Sequence, residues 1–246
     1  MKILFVFLLT FSAVGDAVSS MDRKKGFAIG AGMNLGLYSF PVQFEGQTKN
    51  KIDEKATIIG PSLQLGYDLL LWNRLLLGLR SEAMLADTAG MNKDKSKKIT
   101  SQTNGKSHSL NGTLRLGFVR EFLANNPVGE TYPMIFELFA EAGIGSGRND
   151  FILDYNYSFS GVSELYKEEI QETFQSRVLS AGMNLTSISG SFFELKVMQT
   201  SFESNSIQRS GSYTVNGGGP VTIAAKDKNT DPAALTTFFM IIGHHY

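Results

Sequence analysis

Eight ionisable side chains, Asp68, Arg80, Glu82, Arg115, Glu137, Glu141, Glu194 and Lys196, interrupt stretches that are otherwise apolar or small. Each falls on the polar phase of a period-two alternation. Three are cations and five are anions. On a solvent-facing surface they would be scattered singly, whereas a shared interior lets opposite signs pair. Counted from the turns at one end, Glu82, Arg115 and Glu141 reach comparable heights on three consecutive segments. The count predicts a row in which Arg115 is shared by two carboxylates.

Catalysis asks for more. A general base needs an orienting carboxylate and a nucleophile within hydrogen-bond reach, and the chain offers only His108, His244 and His245 as histidine bases. His108 stands between Ser107 and Ser109 at a strand end with no such set spaced around it, so a solvated histidine is expected. His244 and His245 are neighbours on a strand and point to opposite faces, which prevents them from chelating one ion together. No catalytic residue, metal or cofactor is expected, and the chain is read as a non-enzyme.

The elements that position these side chains are strands. In residues 26–38, Phe27, Ile29, Ala31, Met33, Leu35 and Leu37 alternate with glycines, Ala28, Asn34 and Tyr38. A helix would spread the apolar set around its circumference, and each glycine would cost it about 1 kcal/mol. The same alternation returns in residues 57–72, 75–85, 110–121, 134–145, 176–187, 191–202 and 235–246, which predicts eight strands. Each is long enough for a tilted membrane crossing, which takes roughly 9 to 11 residues. Residues 73–74 and 187–190 read as tight turns and 124–133 as a turn cluster. Residues 39–56, 87–107, 147–173 and 203–232 read as long polar connections. Within the third of these, residues 151–159 alternate as an extension of strand five, and 163–172 is expected to form a short acidic helix.

Connections that alternate long and short around an even number of antiparallel strands are the pattern of an all-β, eight-stranded antiparallel up-and-down transmembrane β-barrel. The charged, glycine-rich phase then lines a narrow lumen, and the apolar phase faces lipid. Residues 1–19 carry Lys2, an apolar run and small residues in the order of a secretory signal. Cleavage follows Ala17 or Ser19, leaving 20–246 as one barrel domain. With 23 basic and 23 acidic residues the chain has no net charge to attract nucleic acid. The absence of cysteine excludes disulfides and lipid attachment through a thioether.

On these features the chain resembles the small eight-stranded outer-membrane barrels, the OmpA-like and OmpX-like transmembrane domains of Gram-negative bacteria. Its end, with Phe238, Met240, Ile242 and Tyr246 at alternate positions, is similar to that family's carboxy-terminal assembly signal. His244 departs from the apolar residue usual there. The resemblance implies an outer-membrane location and recognition by the barrel-assembly machinery. It also allows a gate at the Arg115 row, although a lumen filled by such side chains favours plain charge compensation. Five lysines in residues 87–107 against two acids suit contact with outer-membrane lipids, including lipopolysaccharide phosphates; a surface ligand is expected but not specified. The function expected is a structural or surface-interacting membrane protein with at most a narrow or gated pore. The alternatives are a lipid-modifying enzyme and a small-solute channel.

Overall fold

The structure, a computed structural model, describes residues 24–43, 51–72, 74–94, 99–125, 131–159, 161–223 and 234–246. The expected signal segment therefore lies outside the described residues. Nine antiparallel strands form one sheet: β1 (Gly26–Gln43), β2 (Lys51–Trp72), β3 (Leu75–Asp94), β4 (Ile99–Asn125), β5 (Thr131–Phe159), β6 (Val162–Ser187), β7 (Ser191–Val215), β8 (Val221–Ile223) and β9 (Ala234–His245). β1 to β7 pair in sequence order, and β9 closes the ring by pairing with both β7 and β1. Closure leaves no open edge in the wall. β8 is a short addition to β7 outside that ring.

The register fixes the geometry. Directly paired residues run from Leu65 through Ser81, Gly112, Ile144, Arg177, Ser201, Ala234 and Ser39, and return to β2 at Lys55, ten residues from the start. With about 3.3 Å per residue and about 4.8 Å between strands, that stagger tilts eight strands by about 40° from the axis. Each row of partners consequently climbs toward the end with the long connections as it passes from β2 round to β1.

The two phases separate as the sequence predicts. Phe27, Leu63, Leu79, Leu114, Leu138, Leu179, Val197 and Phe238 are exposed on the outer wall, while the intervening positions are buried within the barrel. The turn between β6 and β7 is closed by Gly190, whose φ of +87° is costly for any residue with a Cβ; its N–H donates to Ser187 O at 3.0 Å.

Three expectations are corrected. Residues 163–172 belong to β6, not to a helix: Tyr155 pairs with Tyr166 and Phe151 with Ile170 along a continuous β5–β6 ladder. Glutamates four apart share a face in either conformation, so their spacing did not discriminate; the paired backbone did. Much of the polar sequence read as long connections is also strand, since β3 runs to Asp94, β4 starts at Ile99 and β7 reaches Val215. Ladder hydrogen bonds join backbones and require no apolar side chains, so the sheet continues beyond the greasy belt. The connection between β5 and β6 shrinks to residues 160–161.

Candidate functional site: a filled lumen and a polar-capped outer wall

All eight sequence-selected charges are buried inside the ring. Arg115 on β4 is the centre. Its Nε donates to Glu141 Oε1 at 2.8 Å, and Nη1 and Nη2 donate to the two oxygens of Glu194 at 2.8 and 2.9 Å. Such a fork matches a carboxylate edge to edge. Glu137 lies 3.8 Å from Nη1, and the guanidinium covers the Phe139 ring at 3.6 Å. Glu82, the expected second partner, does not reach Arg115. It accepts from Lys196 Nζ, which also contacts Glu141 at 3.4 Å. The predicted row across β3, β4 and β5 is therefore replaced by a cluster that spans the lumen to β7.

Neutral groups complete it. Ser180 donates to Glu141 at 2.6 Å, and Gln64 and Asn184 each donate to Glu194 at 3.1 Å. Arg80 donates to Asp68 at 2.6 Å. Sequence reasoning missed Lys24, which is fully buried at the short-turn end and binds Glu137 at 2.8 Å, Asn184 at 2.8 Å and Thr186 at 3.0 Å. Its position two residues before Gly26 puts it on the inward phase, which was the available signal. His245 lies beside it, with Nε2 3.4 Å from Lys24 Nζ and Nδ1 3.7 Å from Asp68.

A second level fills the other half. Tyr38 donates to Glu172 at 2.9 Å, and Asn149 joins both. Phe174 meets Phe202 with ring centroids 4.3 Å apart, and Tyr38 packs against Phe151 and Phe202. Higher still, burial and then the Glu164 carboxylate raise the Tyr166 hydroxyl above its usual pKa range. Between the two levels, Asn34, Ser62, Asn111, Ser176, Thr200 and Thr237 each hold a buried oxygen without a hydrogen-bond partner among the described residues. Ordered water commonly satisfies groups of this kind.

His108 is on the outer wall near the long-connection end, its Nε2 3.9 Å from Asp150. Arg148 holds that carboxylate through hydrogen bonds of 2.8 to 2.9 Å. Among the described residues no group of three or more potential ligands could hold a metal ion. At the carboxy terminus Phe238, Met240 and Tyr246 are exposed outward and Ile242 is half-buried on the same phase; Tyr246 N–H donates to Phe27 O at 2.8 Å.

A closed eight-stranded ring with an apolar outer wall and a paired, charged interior is the architecture of a small β-barrel of the OmpA-like and OmpX-like kind. No protein-family model matches the chain, and no curated protein matches it. Among solved structures the chain is similar to Ail, the attachment invasion locus protein of Yersinia pestis, at 14% identity over 90% of this chain and 99% of that one, with a TM-score of 0.40. It is also similar to Neisserial surface protein A (10%, 90% and 98%, TM-score 0.37) and to the outer membrane protease OmpT from Escherichia coli (10%, 96% and 100%, TM-score 0.35). Likenesses this loose decide nothing about activity; the fold rests on the strand register.

Proposed function

We propose that this protein is an integral outer-membrane barrel of a Gram-negative envelope, non-enzymatic, with a closed lumen and a structural or surface-interacting role carried by its outer wall and long-connection end. The observation that carries the reading is the lumen itself. The Arg115 cluster and the Tyr38, Phe174 and Phe202 layer block it at successive levels, which leaves no evident aqueous path for a solute. The apolar outer wall suits lipid, and the short-turn end faces the periplasm in proteins of this pattern. His108 supports no hydrolytic reading, because the carboxylate nearest it is already held by Arg148.

Two measurements test the proposal. Single-channel recording of the full chain in planar bilayers is expected to show no sustained conductance, and a stable open level would replace the closed-lumen reading with a channel. Acylation patterns of outer-membrane lipids are expected to be identical in cells with and without the protein. A protein-dependent change would make it an enzyme.

A further inference from the structure

The outer wall is not uniform. On β2 seven consecutive outward positions, from Ile59 to Leu71, are apolar or aromatic, whereas on β7 only Phe193, Leu195 and Val197 stand between Ser191 and Gln199. Gln199 accepts from Thr236 of β9 at 2.7 Å. On β6 the outward run from Leu185 to Leu179 stops at Arg177. This side of the barrel therefore presents hydrogen-bonding groups at a depth where the opposite side is still greasy. A membrane meets such a step by thinning or by letting polar groups reach down to it.

Beside that shoulder lies a groove of about 460 Å³ in the same outer wall. Its floor is Gly112 and Ser81, which are direct partners in register. Leu110 and Ile144 rise on either side, and Ile144 is 73% exposed. A Cβ added at Gly112 would meet no atom within 4 Å, so the hollow is open space and not backbone in contact. Arg177, the direct partner of Ile144, and Gln175, the partner of Ser146, stand at the mouth on the long-connection side.

We infer that this groove is a binding site for an outer-leaflet phosphorylated glycolipid, with one acyl chain lying over Gly112 between Leu110 and Ile144 and a phosphate against Arg177. The inference rests on the membrane-inserted reading above. A groove in a lipid-facing wall is filled by a membrane component. A guanidinium at its mouth matches a phosphate through paired N–H donors. Gln175, Gln199 and Thr236 extend the polar contact sideways across three strands, farther than one simple phosphodiester headgroup covers. A sugar headgroup with several hydroxyl and amide groups fits that spread.

The test uses the full chain expressed in outer membranes, extracted in mild detergent, with retained lipids quantified by mass spectrometry. Gly112→Leu fills the hollow without meeting neighbouring atoms, Arg177→Gln removes the cation, and Ala31→Leu adds equal bulk on the opposite wall as a control. Folded, inserted protein is selected first by its heat-dependent gel mobility, so a failure to insert counts against the proposed function and not against this site. The wild type and Ala31→Leu are expected to retain phosphorylated glycolipid, and Gly112→Leu and Arg177→Gln to lose it about tenfold, the scale of one charge-assisted contact. Equal retention by all four proteins overturns the site. Retention of phospholipid in place of glycolipid by the wild type overturns the assigned occupant.

Discussion

Removing Arg115 tests the lumen cluster most directly, because its three carboxylate neighbours are left with unequal support. After Arg115→Ala, Glu137 keeps Lys24, and Glu141 keeps Ser180 and the more distant Lys196. Glu194 keeps only the amide donors Gln64 and Asn184 and loses both charge-assisted bonds. Breaking a buried ion pair from one side costs about 3 to 5 kcal/mol, because the remaining charge is uncompensated. Glu194→Gln in the same molecule removes that charge and is expected to recover about 1 to 3 kcal/mol, the usual coupling of groups in one network. Glu141→Gln is expected to recover less. Glu82→Gln is expected to recover nothing, since Glu82 is held by Lys196. The assay is urea unfolding in lipid, followed by the fluorescence of the single tryptophan, Trp72, for the wild type, each single variant and each double variant. If the Arg115→Ala and Glu194→Gln losses add to within about 0.5 kcal/mol, the two residues do not interact and the cluster is refuted.

Four further outcomes follow from the same geometry. Leu114→Arg or Leu138→Arg, at positions 61% and 50% exposed on the outer wall, is expected to hinder insertion by about 2 to 4 kcal/mol, whereas Thr113→Arg, pointing inward, escapes that lipid cost; equal folded fractions on gels would reverse the two faces. Deleting Tyr246 removes one backbone hydrogen bond to Phe27, worth about 0.5 to 1.5 kcal/mol, and should slow assembly more than it lowers the unfolding midpoint; assembly at the wild-type rate would remove the signal's assigned role. Lys24→Met leaves Glu137 with only the longer Arg115 contact and is expected to destabilise the barrel, with Glu137→Gln restoring part of the loss; a neutral Lys24→Met would show that the inner end does not depend on this pair. Gly190→Ala forces a Cβ onto a φ of +87° and within 2.6 Å of His245 O, so a loss of about 1 to 2 kcal/mol is expected, and an unchanged midpoint would mean that the β6–β7 turn is not held in this shape.

The sequence alone determined the strands within the greasy belt and the facing of their side chains. Leu114 outward and Arg115 inward follow from a period of two, which the backbone imposes on each strand without reference to its neighbours. Turns such as 187–190 were legible for the same local reason. The tertiary structure decided what lies across from what. Heights counted from the turns placed Glu82 beside Arg115, but a ten-residue stagger shifts each strand against the next, and Glu194 of β7 comes to Arg115 across the lumen. It also decided how far the sheet extends: residues 163–172 carry glutamates at a spacing common to helix and strand, and only the β5 ladder beside them made them β6. Lys24 on Glu137 and Gly112 beneath an open groove depend equally on closure of the ring. Side-chain alternation is a property of one strand, whereas partners, levels and hollows are properties of the register among eight, which no single segment encodes.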